Sequence, residues 1–383
     1  MKDISFLLEK ETSPFNFYRV LRSIWASPGL SRSALSTTLK LDKSTITKIV
    51  ADLLQKEIVV ESAEGDASQK GGRRPVFLSI RGDFGCVVGL EIQTERYTAV
   101  AVDLDGAILY SRSEPMEADG KPLPSVFLDI MSEVSLDLEK QGLQPLGIGV
   151  GVSGIVDSAH GIIQQSIPLG ISSPVEFYAS GARLLGKPLS IDNDANCCCW
   201  AELVRKRRAR PREFLFLLGE FRKERVRDTN GGGVSVGLGL VIGGRVHLGA
   251  SCSAGEFRSV FRTTETKSQF SLPDERMILA AGDESAFREV AREIGRNVAL
   301  LVNTLDLSHV FIGGSIEKYR AILIPIIEEE VQRNWPYGKK TLQIELSELG
   351  ELIVAYGAAS MFLERLFALP EFEEVSARSV TVP

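Results

Sequence analysis

No apolar run in this sequence reaches the roughly 18 residues that a membrane-spanning helix requires. The first residues, MKDISFLLEKETS, are interrupted by charges and lack the apolar core of a secretory signal. These absences set aside the membrane and secreted classes, and the expected compartment is the cytoplasm. A cysteine framework is missing as well. The five cysteines, Cys86, Cys197, Cys198, Cys199 and Cys252, are odd in number and contain no CxxC pair. Three consecutive cysteines on a helix point about 100° apart and cannot converge on one ion. No metal and no cofactor is expected, and the thiols read as buried and inert.

What is present is a soluble composition, 44% hydrophobic and 25% charged, over 383 residues, long enough for two or three domains. The net charge of -6 conceals an asymmetry. Residues 1–82 carry 13 Lys and Arg against 9 Asp and Glu, a net of +4; the rest carries 31 against 41, a net of -10. A basic head on an acidic body implies that only the head meets a polyanion.

In the head, Phe17, Val20, Leu21 and Ile24 recur at helical spacing before the breaker SPG at 27–29. Ser31 stands where it can cap a second short helix, and Asp42 where it can cap a third over 42–56. In that third helix Ile46, Ile49, Val50, Leu53 and Leu54 form one apolar stripe. Lys43, Ser44, Thr45, Thr47 and Lys48 lie off it. This order predicts a helix-turn-helix, and the strands EIVVES (57–62) and PVFLSI (75–80) supply a wing. Thr45 and Thr47 suit base edges, while Lys43 and Lys48 suit phosphates. Arg32 and Ser44 complete the helical contact set. Arg73 and Arg74, in GGRRP (71–75), suit a narrow minor groove. The expected partner is double-stranded DNA.

From Phe84 the pattern turns to strands: FGCVVGLEI, YTAVAVDL and AILYSRSE, with Asp105-Gly106 as a hairpin signal. A helix over about 124–141 and the strand LGIGVGV (146–152) follow. A second set begins with EFLFLLG (213–219) and VSVGLGLVIGGRVHLG (234–249), continues through helices near 284–305 and 317–333, and ends in the helix of YGAASMFLERLF (356–367). Two meanders, each continued by helices and further strands, predict two similar α/β lobes facing a cleft. The expected boundaries are 1–82 for the head, 83–192 for lobe 1 closed by a helix over 350–369, 193–349 for lobe 2, and a tail at 370–383.

Five stretches in order, SRSALSTTLKLDKSTITKIVADLLQKEIV, GGRRP, GIGVGVSGIVD (147–157), DNDAN (192–196) and GLVIGGRVHLGASCSAGE (239–256), resemble the ROK (Repressor, ORF, Kinase) family over residues 15–369. The similarity is to the branch with an N-terminal winged helix, which includes the xylose and N-acetylglucosamine repressors. It implies an actin-like, two-lobed sugar-kinase body behind an α+β winged helix-turn-helix domain. It also implies sugar contacts at Gly154, Asn193, Asp194 and Glu256, with Asp194 at the position of the kinase base.

The chain departs from the family where ATP would sit. The family's first phosphate loop, Asp-x-Gly-x-Thr, reads EIQTERYT (91–98) here, with Glu91 at the acid position and no glycine. The second, Gly-Thr-Gly, reads Gly233-Val234-Ser235, and Val234 has no hydroxyl to donate. Only FIGGS (311–315) keeps the look of the adenosine segment, and a plain glycine turn after a buried strand explains it equally. Phosphoryl transfer needs such loops, so no catalytic residue is assigned. On the sugar side, PLGI (168–171) stands in place of Asn-Leu-x-x-Trp, and Arg258 and Ser259 stand where a Gly-His is usual. Residues 262–278 hold none of the family's zinc cysteines, so packing or a partner must order them. Arg258, if it faces the cleft, favours an anionic ligand such as a sugar phosphate.

Three functions follow from these readings. The leading one is a transcriptional regulator of carbohydrate genes, a homodimer or tetramer, in which Asp194 touches ligand without catalysis. The rivals are an active sugar kinase with an appended DNA module and a constitutive regulator that ignores ligands. For Asp194 itself a hydrogen bond to Asn196, or a purely structural cap of the following helix, are the alternatives.

Overall fold

The structure is a computed structural model that describes residues 4–8, 14–64, 75–116, 120–179, 186–222, 233–263 and 268–370. Arg73, Arg74 and the tail beyond 370 lie outside the described residues.

The head forms as its capping residues dictate. Helix α1 (Phe15–Ala26) buries the apolar set around Ile24. Helix α2 (Arg32–Leu39) starts at Ser31, whose hydroxyl accepts from the Ala34 N–H at 3.2 Å. Lys40 turns the chain left-handed at φ 54°. Asp42 then opens α3 (Lys43–Gln55), its carboxylate accepting from the Thr45 N–H at 2.8 Å. Ile46, Val50 and Leu53 face inward, with Ile49 and Leu54 packed at the edge of the core. Strands β1 (Val59–Glu64) and β2 (Val76–Ile80) pair antiparallel, and a two-residue strand at Leu30–Ser31 joins β2 on its other side.

Each lobe of the body is a five-stranded mixed sheet. Lobe 1 contains the meander β3 (Cys86–Ile92), β4 (Arg96–Asp103) and β5 (Ile108–Pro115). Helix α4 (Leu123–Lys140) covers it, and β6 (Pro145–Val152) lies parallel to β3. Three short strands, β7 (Ile155–Asp157), β8 (Ile162–Gln165) and β9 (Val175–Glu176), form a small sheet before β10 (Leu189–Asn193) closes the edge beside β6. Lobe 2 repeats the scheme. Its meander is β11 (Phe214–Arg222), β12 (Gly233–Ile242) and β13 (Arg245–Val246), with β14 (His309–Gly313) and β15 (Gln343–Leu346) parallel beyond β11.

Between the sheets run α5 (Asp194–Arg205) and α9 (Ile353–Phe367), the latter buried along nearly its whole length. Their seating explains the glycine spacing of GIGVGV. A Cβ at Gly149 would lie 1.9 Å from the Ala358 carbonyl oxygen, and one at Gly357 would lie 1.8 Å from that of Cys197. Only backbone fits at those contacts. Around the second lobe pack α6 (Asp274–Leu279), α7 (Glu284–Thr304) and, after a 3₁₀ turn at Ser315–Tyr319, α8 (Arg320–Arg333).

The three cysteines of α5 are each fully buried, and burial pushes their thiols well above the ordinary range. They serve as packing groups. Among the described residues, no helix is long and apolar enough to cross a membrane.

The head is welded to the body rather than tethered. One continuous apolar core includes Ile24 and Trp25 of the head together with α5 and α9. The Trp25 indole is fully buried, stacks on Phe367 at 4.7 Å between ring centres, and donates to the Leu104 carbonyl at 2.9 Å. Arg22 donates to Glu364, which also receives Arg210, so one carboxylate joins α1, α9 and the turn after α5.

Candidate ligand cleft and nucleic-acid interface

The stretch 192–196 lies where β10 enters α5, and each polar group has a distinct partner. Asn193 is the helix cap: its carbonyl oxygen accepts from Ala195 and Asn196 N–H at 2.9 and 3.3 Å. Its amide donates to the Gly154 carbonyl at 2.9 Å. Gly154 sits at φ 111°, and a Cβ there would meet the Gln165 carbonyl oxygen at 2.2 Å. Asn193 and Gly154 thus meet through one hydrogen bond, leaving one Asn193 N–H for anything bound in the cleft.

Asp194 is neither the cap nor the partner of Asn196. Asn193 occupies the cap because its side chain reaches the first free N–H groups from the end of the strand. Asn196 turns inward and donates to Asp192 at 2.9 Å, where the Trp200 indole also donates at 3.1 Å. Asp192 is fully buried and its carboxyl is raised by that burial. Among the described residues Asp194 accepts only from the Ala195 N–H, at 2.8 Å, so most of its lone pairs are available. Burial in the cleft raises its carboxyl to about 6; Arg222 opposes the shift, while Glu256 and Glu220 add to it. Glu256 lies on the exposed rim and is raised by partial loss of water. Arg258 is also exposed, whereas its neighbours Phe257 and Ser259 are buried.

Across the cleft, residues 91–98 form a tight turn rather than an open loop. The Gln93 N–H donates to the Arg96 carbonyl at 3.0 Å, and the Gln93 amide donates to Glu91 at 2.6 Å. Glu91 is buried and raised to about 8, mainly by desolvation, with Arg96 and Gln93 opposing. On lobe 2, Val234 pairs with Phe221 and Ser235 with Glu220. The Glu220 carboxylate crosses to the glycine turn after β14 and accepts from the Ser315 hydroxyl at 2.7 Å. It fills the space above Gly314, where a Cβ would meet its Oε1 at 2.7 Å. FIGGS is therefore a seat for an acidic side chain. Glu317 nearby is raised to about 6 by burial and by Glu220. Sequence reasoning missed Glu220 and Glu317, because pairing across lobe 2 brings them to that turn.

The described part of 262–278 is ordered by packing. Phe270 is fully buried against Phe257, the Gln269 amide donates to the carbonyls of Val236 and Phe257, and Ser271 donates to Glu293. No cluster of metal-ligating side chains occurs among the described residues.

On the head, Lys43, Ser44, Thr47 and Lys48 are exposed on one face of α3, with Thr45 half-buried. The hydroxyls of Ser44 and Thr45 donate to Asp42 at 2.6 Å, and Thr47 donates to the Lys43 carbonyl at 2.7 Å. Arg32 is paired with Glu61 at 2.8 Å.

Fold and site together define a class: a MarR-type winged helix followed by a ROK domain with a two-lobed, actin-like body. The MarR family model matches residues 16–64 and the ROK family model residues 87–258. Among curated proteins, the xylose repressor of Caldicellulosiruptor bescii is 23% identical over 407 residues, covering 92% of this chain and 96% of that protein. The xylose repressor of Lactiplantibacillus pentosus is 30% identical over 151 residues, 39% of this chain and 37% of that one. Among solved structures, a ROK family transcriptional regulator described as a homolog of the E. coli MLC protein superposes with a TM-score of 0.71 at 18% identity, covering 99% of both chains. A ROK family glucokinase from Streptomyces griseus, in complex with glucose and AMPPNP, gives 0.55 at 19% identity over 72% of this chain and 99% of that one.

Proposed function

We propose that this protein is a DNA-binding, sugar-responsive transcriptional repressor acting in the cytoplasm, with a cleft that senses a carbohydrate and does not phosphorylate it. The head supplies an exposed basic face on α3, and relatives named as xylose repressors share nearly its full length. A sugar or sugar phosphate is the effector, with Asp194, Asn193 and Glu256 as its hydroxyl partners and Arg258 at the rim. Arg32, Lys43, Ser44, Thr45, Thr47 and Lys48 contact DNA, joined by Arg73 and Arg74 from outside the described residues.

The observation that carries the sensing reading is the Glu220 carboxylate in the Gly314 turn. Together with Glu91 and Glu317 it lines the nucleotide side with acids where a triphosphate would need donors and cations. The Glu220 carboxylate opposes ATP by charge, and Glu91, which burial keeps protonated near pH 7, offers the triphosphate no cation. A two-lobed body can still respond to a sugar if the ligand prefers one lobe arrangement by a few kcal/mol. A homodimer would turn that change into a new spacing of two heads on a palindromic operator.

Gel-shift titration against upstream DNA is the test. Affinity falls steeply with salt, and Lys43→Ala with Lys48→Ala lowers the slope of log K against log salt by about 2. D-Xylose and a panel of sugars and sugar phosphates are added in the same assay. Phosphate release from ATP that disappears in Asp194→Asn would revive the kinase reading. DNA binding that no sugar changes, with no sugar shifting the melting temperature, would leave a constitutive regulator.

A further inference from the structure

A second cavity, of about 430 Å³, opens at the far end of α5. Its walls come from both lobes and the helices between them: Asp105 in the turn after β4, Glu202 and Arg205 on α5, Arg207 just beyond it, Glu348 after β15, and Tyr356 on α9. Glu202 stands eight residues along the helix from Asp194, about 12 Å at 1.5 Å per residue. The cavity is therefore separate from the sugar cleft.

Glu202 has 1% of its surface exposed, and neither carboxylate oxygen has a hydrogen-bond partner among the described residues. The nearest cation, Arg205, stays at 3.9 Å and places another nitrogen on Glu348. The other two cations are engaged elsewhere: Lys206 with Glu345 at 2.5 Å and Arg207 with Asp105. The Tyr356 hydroxyl donates to the Gly106 carbonyl at 2.8 Å. Each base at the cavity already has its own acid, and Glu202 is the acid left over. A buried carboxylate without donors is strongly unfavourable, and such groups in folded proteins call for a partner.

We propose that this hinge cavity is a second ligand site, taking a small primary ammonium compound whose charged nitrogen seats on Glu202. Burial raises the Glu202 carboxyl, and an ammonium beside it would supply up to three donors and the charge that holds it ionised. The site also touches the head. Arg207 donates through Nε to the Trp25 carbonyl at 3.0 Å and lies over the Trp25 ring at 5.5 Å, while its other arm holds Asp105. A cation shared between Glu202 and Asp105 loosens the grip of Asp105 on Arg207, and so bears on the seat of the head. Binding is independent of the regulator reading; only its consequence for DNA rests on it.

The test uses the full chain in an amine-free buffer at constant ionic strength, with ethanolamine as probe and ethylene glycol as its uncharged counterpart. Ethanolamine raises the melting temperature saturably, and ethylene glycol does not. The rise is lost in Glu202→Gln and in Ala107→Phe, which places a ring at an exposed residue lining the same cavity, and it persists in Asp194→Asn. Equal effects of the two probes, or a full ethanolamine response in Glu202→Gln or in Ala107→Phe, overturn the proposal. An ethanolamine effect on melting without any change in DNA affinity keeps the site and removes only its link to the head.

Discussion

Replacing Trp25 with alanine tests whether head and body form one cooperative unit. The indole is fully buried, lies at an interplanar angle of 13° on Phe367, and sits beneath the guanidinium groups of Arg22 and Arg207. Truncating a buried aromatic of this size costs about 3–5 kcal/mol. Leaving the Leu104 carbonyl without its donor adds about 1 kcal/mol or more. Because Trp25 lies at the seam, the loss falls on docking: Phe17, Tyr18, Val20, Leu21 and Ile24 still fill the head's own core. At about 1.4 kcal/mol per decade, the docked population drops by more than a hundredfold relative to its undocked alternative. In urea, the native protein should unfold in one transition and Trp25→Ala in two, the head losing amide protection first. Trp25→Phe keeps a ring against Phe367 but loses the hydrogen bond and part of the buried indole, so it should cost about 2–3 kcal/mol, less than Trp25→Ala. DNA binding itself survives, since α3 is untouched, while its response to any cleft ligand collapses. A single transition at an unchanged midpoint in Trp25→Ala would refute the reasoning.

Glu364 is buried and shared by Arg22 and Arg210, so Glu364→Gln should cost about 3–5 kcal/mol by leaving two guanidinium groups facing each other, read as a lower urea midpoint. Burial holds the Glu91 carboxyl up at about 8, against an unfolded value near 4.3, so its penalty is absent at low pH and grows as pH rises through that window. Glu91→Gln should therefore raise the urea midpoint at pH 8.5 and change it little at pH 4. Toward a thiol reagent, the half-exposed Cys252 should react in the native protein, while buried Cys86, Cys197, Cys198 and Cys199 react only on unfolding.

Elements with local causes were legible in the sequence. Ser31 and Asp42 mark helix starts because a side-chain oxygen can reach N–H groups three residues on, and the structure uses both. The apolar stripe of α3 and the two meanders follow from periodicity alone. The cleft was legible only as a set of positions. DNDAN lists four polar groups in five residues, yet which of them caps, which supports and which faces ligand depends on the geometry where β10 meets α5. As alternatives to ligand contact the sequence offers Asp194 as cap or as partner of Asn196; the chain gives those two roles to Asn193 and Asp192. The seam was illegible for another reason. Trp25, Arg207, Arg210 and Glu364 are far apart in the chain, and nothing local distinguishes them from ordinary core or surface residues.

That seam and the cleft are joined by α5. The helix spans 12 residues, about 18 Å, with Asp194 at its first turn and Arg205 at its last. It is buried along its length, and it approaches α9 so closely at Gly357 that no Cβ could stand between them. A helix held this way resists bending, because displacing any turn forces backbone into backbone. On the proposed reading, a ligand on Asp194 therefore acts on the whole rod, and Arg207, one residue past Lys206 at its end, passes the shift to the Trp25 carbonyl. The phosphate loops could decay without breaking this path, since none of its residues belongs to them.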